Sequence, residues 1–280
     1  MLKYKVVESF ISENECRLLI EEAEKFLEIK SEREIISNNR QMIISTSVIY
    51  NELLKNSNSW EKLHEKLNSH QFYEECLKNF NLDSNQFEFK NFFFKKNLNS
   101  IEKKYKNLVN RKFSYLETKT LLKLILLRIY KEMLFKIKFI FKKRINLELL
   151  FDFSISKKGY KREIHRDSDS RIIVFLLYLN SFKNEGEGGD LNLHELIKKE
   201  KNNIPAQPKD EDCKIVETFK PKAGNLVLFL NSTEAFHSVS EMAGDEKRYF
   251  LYGSYTALNK KNPFLKNSKN NLKTEFFLFQ

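Results

Sequence analysis

A histidine and a carboxylate lie two residues apart in His165-Arg166-Asp167, and a further histidine, His237, follows much later in the chain. In an extended strand, positions i and i+2 share a face, so the imidazole of His165 and the carboxylate of Asp167 can reach the same point in space. A distant histidine would complete a 2-His-1-carboxylate triad, which leaves positions open on Fe(II) for other ligands. A single His-x-acid pair also arises by chance, so the surrounding segments must decide.

Those segments follow one another in a distinctive order between about Phe151 and Thr256. The order comprises Gly159-Tyr160, the His165–Asp167 run, Leu177–Asn180, the glycine-containing segments Gly186–Leu191 and Pro221–Phe229, and finally His237 with Arg248. This succession resembles the Fe(II)/2-oxoglutarate-dependent oxygenases of the prolyl 4-hydroxylase-like group. The opening Phe10–Cys16 resembles the start of the same group more weakly.

The resemblance implies a role for each matching residue. It makes His165, Asp167 and His237 the ligands of the iron. Tyr178 stands where related hydroxylases place a tyrosine that reaches the distal carboxylate of 2-oxoglutarate. Tyr160 and Asn192 are the weaker candidates for the side of the site that faces the substrate.

The basic residue that would hold the same carboxylate is Arg248 or its neighbour. Arg248 lies eleven residues after His237, where nine or ten are usual in the family, and Lys247 lies at ten. Because side chains alternate across a strand, only one of the two can point into the barrel. We expect Arg248, since a guanidinium offers two parallel donors to a carboxylate and stays charged when desolvated. Phe250 and Tyr252 would then share its face, and Tyr249 would face the outer packing layer.

By the same resemblance, the cofactors are Fe(2+), with 2-oxoglutarate and O2 as co-substrates and ascorbate as a candidate reductant. The reaction would hydroxylate an unactivated C–H bond and release succinate and CO2. Asp167 favours hydroxylation, since the related halogenases lack this carboxylate. The substrate would be a peptidyl residue, an amino acid or another small molecule. Oxidative modification of nucleic acid and a non-catalytic jelly-roll binding protein remain the alternatives.

The elements that must position these residues change in character along the chain. No glycine or proline occurs before Gly159, which indicates a mainly helical first half. A capping box at Ser12–Glu15 predicts a helix to about Ile29, and further helical patterns cover 60–80 and 117–143. Short β-rich runs at 42–50 and 87–94 interrupt these helices.

From residue 150 onward, alternating apolar and polar positions with Gly/Pro turns predict strands. They are expected at 151–156, 171–180, 191–194, 225–230 and 248–256, with 195–221 as a lysine-rich loop. We therefore expect an α+β fold, a double-stranded β-helix (jelly-roll) core buttressed by N-terminal helices. The expected division is 1–150 for the buttress, 151–257 for the catalytic core and 258–280 for a tail, all in one integrated domain.

Composition bounds the class of protein. The 280 residues are 41% hydrophobic with a net charge of +11, enough apolar material for a packed core. The segment 90–144 holds 17 Lys/Arg against three acidic residues, which keeps nucleic acid open as a partner, although no nucleic-acid-reading motif supports it. The longest apolar run has eight residues, too few for a membrane span, and the start lacks the pattern of a signal peptide. The three scattered cysteines indicate neither disulfides nor a zinc site, and we expect a cytoplasmic protein.

Overall fold

The computed structural model describes residues 2–29, 35–37, 39–90, 144–182, 186–197, 205–258 and 261–265. The elements in chain order are β1 (Tyr4–Val7), α1 (Glu13–Ile29), β2 (Ile35–Ser37), β3 (Arg40–Ile44), α2 (Val48–Asn56), α3 (Asn58–Leu67), α4 (His70–Asn79), β4 (Phe87–Phe89), β5 (Ile145–Ser156), β6 (Arg162–His165), β7 (Arg171–Tyr178), β8 (Leu191–Leu196), a 3-10 turn (Asp210–Asp212), β9 (Cys213–Phe219), β10 (Leu226–Leu230), β11 (Phe236–Val239) and β12 (Arg248–Ala257). The helix predicted over 117–143 lies outside the described residues, as does the basic segment 90–144 apart from its two end residues.

A serine caps the start of each of the four helices that the structure describes. In the predicted capping box, the Ser12 N–H donates to Glu15 Oε2 at 2.8 Å and the Glu15 N–H donates to Ser12 Oγ at 3.2 Å. The hydroxyls of Ser47, Ser57 and Ser69 accept the backbone N–H three residues on, at the starts of α2, α3 and α4. The single helix predicted over 60–80 is therefore two helices, because Ser69 begins a new one.

The helices cover one face of the larger sheet. On α1, the buried residues Cys16, Leu19 and Ala23 recur at steps of three and four and form one apolar stripe. The indole of Trp60 on α3 donates to the Leu19 carbonyl at 2.9 Å, and its ring meets Phe153 of β5 at 4.8 Å between centroids. This packing is the buttress expected from the sequence. In the part of the chain that the structure describes, no helix is long and apolar enough to cross a membrane.

The strands form two facing sheets. The larger runs β1-β10-β7-β12-β5-β3-β2, with β4 beside β5, and the smaller runs β6-β11-β8-β9. Tyr178 and Phe250 of the larger sheet share a buried cluster with Leu191 and Leu193 of the smaller one, so the inner faces meet. The expected α+β fold with a jelly-roll core is confirmed. The space between the sheets is the barrel interior.

Strand β12 divides its side chains between the two packing layers. Tyr249, Leu251 and Tyr255 belong to the core under the helices, whereas Phe250 belongs to the cluster in the barrel interior. Arg248 lies over the Phe250 ring, with its Cζ 4.4 Å from the ring centroid. The alternation that the sequence predicted for this strand, with Arg248 facing inward, is what the structure has.

Gly253 lies on the helix-facing side of β12, where no side chain fits. A Cβ there would lie 2.3 Å from Phe175 Cζ and 2.6 Å from Phe151 Cβ. We expect Gly253→Ala to lower the free energy of unfolding by about 1–3 kcal/mol, because the neighbours must shift to admit a methyl group. Urea unfolding measures this. The double variant Gly253→Ala/Phe175→Leu should recover part of the loss, and an unchanged midpoint for Gly253→Ala would contradict the steric account.

Strand β9 and the extent of the larger sheet were not expected from the sequence. The segment 195–221, expected as a loop, contains β9, an edge strand in which most side chains are exposed, including those of Ile215 and Val216. Strand β5 begins at Ile145, and β1 and β3 join the same sheet as β10 and β5. The division into 1–150, 151–257 and 258–280 stays a prediction.

Candidate active site

Three buried side chains, on two adjacent strands and on the loop that follows one of them, meet in the barrel interior. His165 ends β6, and β11 pairs with it so that His237 stands directly opposite. Asp167 follows two residues after His165. Ligand atoms of these three residues lie within 4.8 Å of one another, with His237 Nε2 3.7 Å from Asp167 Oδ2. The structure thus brings together the three residues that the sequence singled out as a metal triad.

The backbone fixes which nitrogen each imidazole presents. His165 Nδ1 lies 2.8 Å from the Glu163 carbonyl oxygen, and His237 Nδ1 lies 3.3 Å from that of Ala235. A carbonyl can only accept, so each Nδ1 carries the proton and donates it. Each Nε2 of the neutral rings is therefore an acceptor. Histidines that bind metals are held in this way, by a backbone carbonyl on the other ring nitrogen.

Burial and neighbouring groups together keep the triad in the charge state that metal binding needs. Burial lowers the pKa of His165 to about 4, with a further contribution from His237, and it also lowers the pKa of His237. Burial alone would raise the pKa of Asp167, but the charges of His237 and Arg171 and a hydrogen bond from Tyr252 lower it. At neutral pH the site thus offers two neutral imidazoles and one carboxylate, the donor set of a 2-His-1-carboxylate metal centre.

The lowered pKa of His165 predicts a loss of stability in mild acid for the metal-free protein. Between the unfolded value of about 6.5 and the folded value of about 4, the unfolded chain binds more protons. The free energy of unfolding should therefore decrease as the pH is lowered through this window, and His165 should contribute on the order of 3 kcal/mol to the decrease. Urea unfolding at pH 7 and pH 4.5 measures it. His165→Gln should flatten the slope and His70→Gln, at an exposed position, should keep it; equal stability at both pH values would contradict the assignment.

The two carboxylate oxygens of Asp167 have different surroundings. Oδ1 accepts from the Tyr252 hydroxyl and, at 3.2 Å, from Arg171 Nη1. Oδ2 is buried and has no hydrogen-bond partner among the described residues. A buried, ionised oxygen without a partner is costly unless a cation occupies the space before it. The residues present therefore fit a metal ion between Asp167 Oδ2 and the two imidazoles.

Arg248 is a buried cation, and none of the described carboxylates pairs with it. It is 0% exposed, its Nη2 lies 3.5 Å from the Tyr178 hydroxyl, and its Nε and Nη1 are unpartnered among the described residues. Lys247 points the other way, with its Nζ 2.7 Å from Glu24 Oε1 in a partly exposed ion pair. A desolvated guanidinium with free donors fits an anion. Arg248 and Tyr178 thus form one group in the interior, and Lys247 is not part of it.

The two weaker candidates differ in their surroundings. Tyr160 is buried and lies near Arg40. Burial alone would lower the pKa of Arg40, but Asp152 and Tyr160 raise it. Asn192 alternates with the interior residues Leu191 and Leu193, so its side chain lies on the opposite face of β8 from His237. There it accepts a hydrogen bond of 2.8 Å from Thr218. The structure does not bring Asn192 to the triad, which corrects its expected position beside the substrate.

Four interior residues were not singled out as site residues from the sequence: Arg40, Asp152, Arg171 and Tyr252. Arg40 Nη2 pairs with Asp152 Oδ1 at 2.7 Å, and the Cζ atoms of Arg40 and Arg171 lie 5.8 and 4.8 Å from the Tyr252 ring centroid. Tyr252 could have been found from its position four residues after Arg248 on the inward face. Arg40 carries no sequence signal, because only the pairing of β3 with β5 brings it into the interior.

A close approach of two segments of the chain explains the glycine-rich segment before β8. At Gly188, which has a φ of +74°, a Cβ would lie 1.9 Å from the Glu241 carbonyl oxygen. A residue with a side chain would therefore push apart the segments that lead into β8 and out of β11. The glycine in this motif maintains the spacing of the small sheet that carries the triad.

Comparisons with known proteins bear on the same segment. Residues 151–255 match the family model of the 2OG-Fe(II) oxygenase superfamily, close to the range of the sequence resemblance. No curated protein matches the chain.

Solved structures with similar chains include prolyl 4-hydroxylases from Pseudomonas putida (15% identity, 91% of this chain and 94% of that one, TM-score 0.42) and Phytophthora capsici (14%, 93% and 61%, TM-score 0.47). A viral collagen prolyl hydroxylase from Paramecium Bursaria Chlorella virus-1 is similar at 15% identity, over 91% of each chain, with a TM-score of 0.37. At these TM-scores the likeness carries no argument of its own, and the assignment rests on the family match. Residues 151–255 therefore carry the match to the 2OG-Fe(II) oxygenase superfamily, a family of enzymes that implies Fe(2+), 2-oxoglutarate and O2, and the His165–Asp167–His237 triad supplies the residues that would hold the iron.

Proposed function

We propose that this enzyme hydroxylates an unactivated C–H bond of a peptidyl residue, an amino acid or another small molecule, with succinate and CO2 as co-products. The observation that carries the proposal is the buried His165–Asp167–His237 group, whose only unpartnered carboxylate oxygen faces a histidine acceptor nitrogen. In this proposal His165 Nε2, His237 Nε2 and one oxygen of Asp167 hold the iron. The metal, when bound with its co-substrates, supplies the oxidising chemistry.

Arg248 and Tyr178 are proposed to hold the distal carboxylate of 2-oxoglutarate. The free Nε and Nη1 donors of Arg248 supply the charge-assisted hydrogen bonds, and the Tyr178 hydroxyl lies beside its Nη2. The apolar cluster around Tyr178 and Phe250 excludes water from this carboxylate, which strengthens both interactions. Tyr160, buried near Arg40, stays as the substrate-side candidate.

The motif resemblance covers peptides, amino acids and other small molecules as substrate classes. The solved structures with similar chains are named as prolyl hydroxylases, and one of them as a collagen prolyl hydroxylase, so peptides are one class to test. The net charge of +11 keeps oligonucleotides as the alternative class, although no described residue set reads nucleic acid.

Two measurements test the proposal. Anaerobic addition of 2-oxoglutarate to the Fe(II) protein should produce the charge-transfer absorbance of an iron-bound keto acid, which a non-catalytic binding protein would lack. Succinate release should then be measured over pools of peptides, amino acids, sugars and oligonucleotides at low and physiological salt. We expect stimulation by a peptide or small-molecule pool. Stimulation by the oligonucleotide pool alone would replace the substrate class, and absence of the absorbance would contradict the function.

A further inference from the structure

The hydroxyl of Tyr252 gives the two carboxylate oxygens of Asp167 different surroundings. Tyr252 lies on the inward face of β12, four residues after Arg248, and it donates a hydrogen bond to Asp167 Oδ1. Arg171 Nη1 approaches the same oxygen at 3.2 Å. With Oδ1 occupied in this way, Oδ2 is the oxygen left to face the two histidines, and it has no hydrogen-bond partner within the described part of the chain. The arrangement offers one ligand atom from this carboxylate.

The ring of Tyr252 is itself held by a residue from outside the family-matched segment. Arg40, on β3, lies with its Cζ 5.8 Å from the Tyr252 centroid and 5.1 Å from that of Phe250. Its guanidinium is fixed by Asp152 Oδ1 at 2.7 Å and Ser154 Oγ at 2.8 Å. A buried cation within about 6 Å of an aromatic face is attracted to it. Arg40 thus restricts where the Tyr252 ring can lie.

We propose that Tyr252 is a positioning residue that keeps Asp167 in a one-oxygen binding mode, and that Arg40 holds Tyr252 in place for this task. The inference rests on the proposed function, in which Asp167 is a metal ligand. Three single-atom ligands leave three positions of a six-coordinate metal open, enough for a chelating keto acid and O2. A carboxylate free to bind through both oxygens would take one of those positions. Tyr252 would therefore keep this coordination position available to the co-substrates without contacting them.

The variant Tyr252→Phe removes the hydroxyl and keeps the ring. The probe is Co(II) alone, followed by its visible absorption spectrum, so the readout does not depend on turnover. We expect Co(II) binding to weaken by about 10- to 100-fold, the usual effect of losing a group that orients a metal ligand. We also expect a changed ligand-field spectrum, because the coordination of Asp167 changes. A merely structural role for Tyr252 would leave the spectrum of the bound ion unaltered.

Tyr255→Phe is the matched control, because Tyr255 lies on the same strand but faces the helices. Its hydroxyl is buried without a hydrogen-bond partner among the described residues, so its loss should leave Co(II) binding unchanged. An equal effect of the two variants would overturn the proposal. If the wild-type protein binds Co(II) and Tyr252→Phe binds it equally, with the same spectrum, only this inference fails. If the wild-type protein binds no Co(II), the proposed function fails with it.

The part played by Arg40 is tested by a double-mutant cycle. If Arg40 acts through Tyr252, Arg40→Met should weaken Co(II) binding in the wild-type background and have little further effect in Tyr252→Phe. Arg40→Lys, which keeps the charge, should recover part of the affinity. Additive effects of Arg40→Met and Tyr252→Phe would show that Arg40 acts independently, and would overturn this step.

Discussion

Replacement of Asp167 by alanine is expected to abolish substrate-dependent succinate production, with a loss of about 100-fold or more. Groups that merely orient a metal ligand already contribute about 10- to 100-fold, so loss of a proposed ligand should cost at least the upper figure. His237→Ala should behave in the same way, because two remaining ligands hold iron poorly. Succinate release at saturating Fe(II) and 2-oxoglutarate measures the effect.

Asp169→Ala is the control for these variants. Asp169 lies two residues after Asp167, and its side chain is 48% exposed and pairs with Arg166. We expect it to retain near-normal turnover. Circular dichroism and thermal unfolding establish whether each variant is folded. Near-normal turnover of a folded Asp167→Ala or His237→Ala protein would contradict the proposed metal ligands.

Replacement of Arg248 by alanine is expected to raise the 2-oxoglutarate requirement by roughly 30- to 4,000-fold, while iron binding persists. Its guanidinium is fully buried, and its Nε and Nη1 have no partner among the residues that the structure describes, so its loss would leave the co-substrate carboxylate unpaired in a dry pocket. Truncating one partner of a buried charge pair costs about 2–5 kcal/mol. Succinate release against 2-oxoglutarate concentration gives the shift.

Lys247→Ala is the matched control for Arg248→Ala. Lys247 is the adjacent residue, but its ammonium pairs with Glu24 at the surface, and its side chain is 45% exposed. We expect a change of less than about threefold, as for other exposed ion pairs. An effect at Lys247 as large as that at Arg248 would mean that the orientation of β12 does not decide which cation holds the carboxylate.

Local signals in the sequence predicted the parts of the fold that depend on neighbouring residues. The capping box at Ser12 predicted the start of α1, and the alternation after Arg248 predicted which side chains face the barrel interior. The sequence pattern did not predict the break between α3 and α4, because that break depends on a single N-cap residue, Ser69. The strand expected over 42–50 ends at Ile44, because the Ser47 cap begins α2 three residues later.

Features that depend on distant pairing could not be predicted in this way. Arg40 reaches the interior because β3 pairs with β5, over a hundred residues later in the chain. The face on which Asn192 lies was assigned wrongly, since the sequence of β8 alone does not say which side of its alternation meets Tyr178. The grouping of His165, Asp167 and His237 was easier to predict, because His165 and Asp167 lie two residues apart in the sequence.

The pairing of β1 with β10 has a consequence for the order in which the chain can fold. Tyr4 lies opposite Phe229, so the partner of β1 is synthesised more than two hundred residues later. At roughly 5–20 residues per second, this delay is on the order of 10–45 s on the ribosome. The larger sheet stays incomplete during that time, and contacts this distant in sequence form slowly. We therefore expect nascent chains to depend on chaperones until β12 has emerged and the larger sheet can close.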